Sequence, residues 1–165
     1  MIDIDKAIKI LLDQKPLVIF HGKSEWGPRA LGNRSILFDP RNPKAKEIVN
    51  KFKKREWWRP LAGTVLEENA HEYFDMGSLK KSPYMSFAVK AKPKAIEEVP
   101  AIVHVDNTCR VQTISEGPFY DLIKAFPIPL LLNTSFNLAG YPIVENKEFL
   151  EFTVRSSEFK YVYEV

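Results

Sequence analysis

The chain has 165 residues, of which 45% are apolar and 27% charged, so it has room for one domain with one sizeable core and disorder is excluded for the bulk of it. Formal net charge is only +3, and no apolar run approaches the roughly eighteen residues of a membrane-spanning helix. A single cysteine, Cys109, excludes an intramolecular disulfide and a cysteine-based zinc cluster.

Asp3 stands where it can cap a first helix, with Ile4, Ala7, Ile8, Leu11 and Leu12 as its core-facing stripe and Pro16 as its stop. Asp5, Lys6, Lys9 and Asp13 interrupt that stretch, so it is not the apolar core of a signal peptide, and a cytoplasmic location is expected. Residues 17–21 read as a short buried strand, followed by the glycine-punctuated segment 22–32 and a second strand at 36–38. Pro43 opens the next helix, with Ile48, Val49 and Phe52 on its apolar side. Further strands are expected at 64–66, 85–89, 102–105, 110–114, 130–132 and 159–163. Helices are expected at 69–74, 119–126 and 147–155, and the turn region 77–83 is the expected flexible loop. Interleaved strands and helices favour a mixed α/β domain.

The charge is uneven. Eight basic residues (Arg41, Lys44, Lys46, Lys51, Lys53, Lys54, Arg55, Arg59) lie between positions 41 and 60 against Glu47 and Glu56, which makes that stretch +6 and the other 145 residues −3. Such concentration suits one anionic ligand or one patch; a solvated lysine-rich helix face reads similarly, but Trp57, Trp58 and Pro60 are not residues of such a face. Gly22-Lys23-Ser24 after the first strand is not a P-loop, because Leu17 stands where the glycine that wraps the phosphate is needed.

Four clusters could hold an anion. Residues 22–35 combine three glycines, a proline, Lys23, Arg29 and Arg34, and arginine forks beside an open backbone suit phosphate, as they also suit an ordinary turn with surface arginines. Residues 53–60 place cations beside aromatics. Asn133-Thr134-Ser135-Phe136-Asn137 follows a buried strand, where α/β proteins place ligands, though the same residue types make an Asx or Ser/Thr turn. The last cluster is His104-Val105-Asp106-Asn107-Thr108 with Arg110 and Gln112. His21, His71 and His104 form no His-x-x-x-His pair, so no protein-bound metal site is expected, and Cys109 reads as core.

Taken in order, these blocks resemble the C-terminal, YrdC-like domain of the nodulation- and antibiotic-type O-carbamoyltransferases. The resemblance runs from about Leu17 to Val144. It rests on residues 22–35 with the run Gly27-Pro28-Arg29-Ala30-Leu31-Gly32-Asn33-Arg34-Ser35, on 50–62 ending Arg59-Pro60-Leu61-Ala62, on Ser82-Pro83-Tyr84-Met85, on 104–112, and on 133–137 with Gly140-Tyr141-Pro142-Ile143-Val144. Lys53-Lys54-Arg55 and Ser135-Phe136-Asn137 fit the Lys-x-Arg and Ser-x-Asn signature of YrdC-like domains. Gly63 stands where the family usually has proline and Asn107 where it usually has glycine, a change that bears on the loop after Asp106.

The resemblance implies a twisted open sheet flanked by helices, spanning residues 1–165 as one domain, with the family's N-terminal, histidine-metal transferase domain absent. It implies that the domain takes carbamoyl phosphate and ATP, with Mg²⁺ arriving on the nucleotide, and forms carbamoyl-adenylate. Lys53, Arg55, Arg59 and Arg110 would hold the phosphates, with Ser135 and Asn137 on the triphosphate or carbamoyl end. Arg29, Arg34, Ser35 and His104 would line the same cavity or its mouth. A partner carrying the transferase domain is expected, and self-association is compatible with it. A nucleic-acid-binding module and a non-catalytic subunit of a split transferase are the competing readings, and the acceptor hydroxyl is not written in these residues.

Overall fold

The structure is a computed structural model, and it describes residues 3–164. The first helix, α1 (Ile4–Leu12), starts where Asp3 accepts a hydrogen bond from the Lys6 amide at 3.1 Å. It buries Ala7, Ile10 and Leu11, so the buried stripe is rotated slightly from the expected one and Leu12 faces solvent. The chain turns at Gln14, with φ 57°, into β1 (Leu17–Phe20). There follow β2 (Arg34–Phe38), α2 (Ala45–Phe52), β3 (Ala62–Leu66), the single-turn α3 (Ala70–Tyr73) and β4 (Phe74–Asp75). Then come β5 (Ala88–Ala91), α4 (Pro93–Glu98), β6 (Thr108–Ile114), α5 (Pro118–Ala125), β7 (Leu130–Ser135), α6 (Lys147–Arg155) and β8 (Val162–Glu164).

All eight strands join one sheet in the order β4-β5-β6-β3-β7-β2-β1-β8. It is mixed: β3 runs parallel to β6 and β1 to β8, while the other neighbours are antiparallel. Period-two alternation then splits the apolar residues between two faces. Val18, Ile36, Phe38, Val65, Leu130 and Leu132 pack with α2, α4 and α6 on one side. Leu17, Ile19, Leu37, Leu66 and Leu131 pack with α1 and α5 on the other. The central strands are therefore buried on both faces, which is why they read as continuous apolar runs. The expected mixed α/β sheet flanked by helices is what the chain forms.

Five local expectations change, the first being the strand expected at 159–163, which forms only over Val162–Glu164 as β8. Residues 102–105 are not a strand: Pro100–Ile102 forms a 3₁₀ turn that buries Ile102, and Val105 is fully exposed at a turn. The strand expected at 85–89 begins only at Ala88, because Met85 takes a left-handed backbone at φ 52°. Helix α4, started by Pro93, was not expected from the pattern. The turn region 77–83 is pinned at its end by Ser82, which is buried: its amide donates to Thr113 Oγ1 at 2.8 Å and its hydroxyl to the Val111 carbonyl at 2.9 Å. Asn107 adopts φ 58°, the conformation glycine would take there, and asparagine is the side chain that tolerates it best.

Gly32 ends the loop between β1 and β2 with φ 124°, and a Cβ there would meet the Phe119 ring of α5 at 2.5 Å. Gly32→Ala combines a backbone that L-residues avoid with a clash against a core ring, and should cost about 2–4 kcal/mol. Urea denaturation checks this; a loss below about 1 kcal/mol would mean the loop moves freely against α5.

Candidate functional site

The loop between β1 and β2 is shaped by two ionic side chains, half-buried Glu25 and buried Arg34, whose work is on backbone. Glu25 Oε1 accepts from the amides of Leu31, Asn33 and Arg34 at 2.7, 2.8 and 3.2 Å. Arg34, 3% exposed, donates to the carbonyls of His21, Asn33, Gly22 and Glu145 and lies 3.8 Å over the Phe20 ring. Ser35 Oγ accepts from the Gly32 amide at 3.0 Å. These contacts fix the loop's base and leave Arg29 projecting from its far side, exposed apart from a long contact to the Pro28 carbonyl.

A second wall comes from the segment after α2. Asn50, fully buried, donates to the carbonyls of Trp57 and Arg59, both at 2.9 Å, and accepts from Arg55 Nε. That clasp folds residues 53–60 back and turns Arg55 inward. Beneath it, Lys53 is only 1% exposed. Its Nζ donates to the Ser135 carbonyl, to Ser135 Oγ at 3.3 Å and to Asn137 Oδ1 at 2.9 Å, while Ser135 Oγ donates to Asn137 Oδ1 at 2.7 Å. Lysine and the Ser-x-Asn turn thus form one unit at the end of β7.

The floor is a buried polar cluster from three adjacent strands. Asn133 of β7 donates to Thr64 Oγ1 of β3 at 2.9 Å and to the Ala30 carbonyl at 3.3 Å. Thr64 donates to Gln112 Oε1 of β6 at 2.8 Å, and Gln112 Nε2 to the Leu31 carbonyl at 3.0 Å. The β1–β2 loop is thereby fastened to the centre of the sheet. Asn133 Oδ1 is enclosed without a partner.

These parts surround a cavity of about 280 Å³. Arg29, Arg55, Arg110, His104, Asn133, Thr134 and Ser135 supply its polar lining, and among the described residues no carboxylate lines it. His104 is held by Nε2 at 3.2 Å from the Leu61 carbonyl and Nδ1 at 3.4 Å from Thr108 Oγ1. The cavity continues past Ser135 into a second one of about 470 Å³ beside Glu25 and Tyr141. On the other side it continues past Arg29 and Arg110 into a third of about 420 Å³ beneath Trp26 and Tyr84.

The electrostatics point one way. Burial, and then the charge of Arg55, hold the Lys53 amine well below its usual range. Burial and neighbouring Arg59 bring Arg55 down to about 10, and burial with Arg110 nearby lowers Arg29. Each cation is depressed because its neighbours are apolar or also positive. At an effective dielectric near 20, an anionic charge about 4 Å from one of them gains about 4 kcal/mol, so an anion in the cavity relieves several unfavourable terms together.

Arg29, Arg55, Arg110, His104 and Ser135 of the sequence-predicted set therefore line one cavity. Asn137 lines the adjoining one and Lys53 lies under both. Arg34 and Ser35 sit behind the wall as supports for the loop. Arg59 lies outside, half exposed and paired with Glu56 at 2.7 Å. Sequence reasoning gave no individual role to Asn50 and Thr64, whose short polar side chains in or beside apolar runs were the available signal, while Asn133, read there as part of an anion-holding cluster, serves in the floor. Cys109 is buried, with its thiol pushed up to about 12, as a core residue. Among the described residues, no group of three or more His, Cys, Asp or Glu side chains could hold a metal, and no helix is long and apolar enough to cross a membrane.

Comparison with known proteins agrees with this reading of the fold. The chain belongs to the carbamoyltransferase C-terminus family, whose model matches residues 8–163. It is 46% identical over 150 residues to nodulation protein NolNO of Sinorhizobium fredii, which covers 86% of this chain and 22% of that protein. It is 43% identical over 138 residues to nodulation protein U of Rhizobium tropici, covering 79% of this chain and 24% of the relative. The chain thus spans about a quarter of these relatives. Among solved structures, full-length HypF in its phosphate- and nucleotide-bound form matches with a TM-score of 0.74 at 18% identity, over 100% of this chain and 25% of that one. This likeness carries the fold.

A lysine whose folded pKa lies below its unfolded value binds fewer protons when folded, so stability rises with pH until the unfolded lysine deprotonates near 10.5. The ligand-free protein should gain stability as pH climbs toward that point, and Lys53→Met should flatten this part of the profile. Urea midpoints of both proteins from about pH 7 to about pH 10 check it, and parallel profiles would contradict a Lys53 amine held below its usual range.

Proposed function

We propose that this domain binds carbamoyl phosphate and ATP and forms carbamoyl-adenylate, the activation step of O-carbamoyl transfer to a hydroxyl acceptor. The observation that carries the reading is the cavity with three arginines, no lining carboxylate among the described residues and Lys53 buried beneath it, in a chain of the carbamoyltransferase C-terminus family. In balance, water takes the phosphate from carbamoyl phosphate and leaves carbamate. A carbamate oxygen then attacks the α-phosphorus of ATP, the bond to the β-phosphate bridging oxygen breaks, and pyrophosphate leaves. Both steps gather negative charge and need two anions aligned, while little proton transfer is asked of the protein. Fixed cations meet that need. Arg29, Arg55 and Arg110 take phosphate oxygens, Ser135 and Asn137 present polar contacts on the nucleotide side, and Lys53 holds those two in place. Mg²⁺ arrives with the triphosphate, as is usual for nucleotide-bound magnesium.

In this reading the 165 residues are one activating domain, and the acceptor site belongs to a transferase domain elsewhere in the same or a separate chain. The rim supports such a partner: Trp26 is fully exposed and Tyr84 is 68% exposed beside the cavity mouth. A cytoplasmic location, expected from the sequence, fits ATP as reactant.

Incubation with carbamoyl phosphate, ATP and Mg²⁺ should yield carbamoyl-adenylate and pyrophosphate. Arg55→Ala or Arg110→Ala should lower the rate about ten- to a hundredfold each, the worth of a charge-assisted contact to phosphate. Arg59→Ala should change it less than about threefold, because that guanidinium is half exposed and engaged with Glu56 outside the cavity. Folded protein that binds neither reactant would refute the reading.

A further inference from the structure

His104 lines the arginine cavity, and both of its ring nitrogens are engaged, Nε2 at 3.2 Å from the Leu61 carbonyl and Nδ1 at 3.4 Å from Thr108 Oγ1. A carbonyl only accepts, so Nε2 carries a proton. Thr108 has one hydroxyl proton, and it is spent on Asp106 Oδ1 at 2.7 Å, an oxygen that also accepts from the Thr108 amide at 3.0 Å. These bonds, the hydroxyl's first, hold the Asp106 carboxyl below its usual range, so it is an anion at neutral pH and has no proton to return. Thr108 Oγ1 is left to accept, and the group that faces it is Nδ1. Both ring nitrogens are therefore placed to donate, which an imidazole does only as imidazolium.

The turn that sets this arrangement is closed on itself. The His104 amide donates to the Thr108 carbonyl at 2.8 Å and the Asn107 amide to the His104 carbonyl at 3.0 Å, with Asn107 in the left-handed conformation between them. A neutral ring held there keeps the Leu61 bond and turns one lone pair toward another. Asp106, reached through Thr108, favours the charged ring. Against it stand Arg55 from the segment after α2, Arg110 of β6 and Arg29 of the β1–β2 loop, which line the same cavity. Lys53 lies beneath Ser135, Arg59 is engaged with Glu56, and Lys90, opposite Thr108 on β5, is exposed. In the empty cavity the geometry and the arginines oppose each other, and a bound anion cancels the repulsion and leaves the geometry.

We propose that His104 is a proton-gated fourth cation of the cavity: its ring takes a second proton from solvent when a doubly negative group binds, and returns it when that group leaves. This rests on the anion-binding reading above and adds a regulation to it. The cavity's charge then follows its load, because the three guanidinium charges are permanent and the fourth appears only with the anion. His104 acts through its charge, since both of its nitrogens are already bonded to protein oxygens.

Sulfate is the probe, because it carries the two negative charges of a phosphate ester and does not itself titrate near neutral pH. Its affinity for the full chain should fall about tenfold between about pH 6 and about pH 8, the range in which an imidazole titrates and roughly the worth of one added charge in a half-screened site. His104→Gln should reduce that fall to less than about twofold, because the guanidinium charges do not change over the range. Titration calorimetry at about pH 7.5, in buffers of different ionisation enthalpy, should show proton uptake by the unmodified protein and none by His104→Gln. Asp106→Asn keeps an oxygen for Thr108 and removes the counter-charge, so it should move the fall to lower pH, which keeps the test decisive should His104→Gln unfold. Binding without proton uptake, or a pH dependence that survives His104→Gln, overturns the gate and leaves the cavity standing as an anion site. No sulfate binding at any pH overturns both.

Discussion

Lys53 is a buried amine with no carboxylate against it among the described residues, and that placement governs the architecture around the cavity. Removing an ammonium from water costs several kcal/mol even after relaxation, and three neutral oxygen acceptors offset only part of it. A side chain chosen for stability alone would be apolar there. The amine instead ties the end of α2 to the Ser-x-Asn turn after β7 and adds positive charge under an arginine-lined cavity. The missing counter-charge is what a bound anion supplies.

Holding several like charges together requires a frame that does not use them up. Ionic side chains near the cavity accordingly divide into two groups. Glu25 and Arg34 are spent on backbone amides and carbonyls, and Asn50 fixes the path of residues 53–60. Arg29, Arg55 and Arg110 are left facing the cavity with no acidic partner among the described residues. The Thr64–Gln112–Asn133 cluster couples the two, fastening the loop that carries Arg29 to three central strands. Because these strands are buried on both faces, the cluster rests on a rigid base, which is what alignment of two reactants requires.

Much of this was legible in the sequence for identifiable reasons. The central strands announced themselves as short apolar runs because both of their faces are covered, and capping at Asp3 located the first helix. Local conformation was harder: Met85 and Pro100 broke runs whose composition resembled strands, and α4 is too short for a clear helical period. At the site, motif residues pointed to the right region, but not to the division between supports and ligands. Arg29 and Arg34 look alike in a glycine-rich loop, and only the fold shows one facing the cavity and the other wrapped in four carbonyls. The same holds for Arg55 and Arg59, four residues apart, of which Glu56 engages the second at the surface. Pairings with His21 or Glu145, distant in sequence, carry no local signal.

The central claim is that an unbalanced cationic cavity at the end of β7 holds the phosphates of the reactants. A crystal structure of the chain with carbamoyl phosphate tests it most directly. The account predicts phosphate oxygens within hydrogen-bond distance of Arg55 and Arg110, with Arg29 closing from the loop and Lys53 beneath Ser135. Phosphate bound instead on the lysine-rich exposed face of α2, or an empty cavity at a saturating ligand concentration, would contradict it.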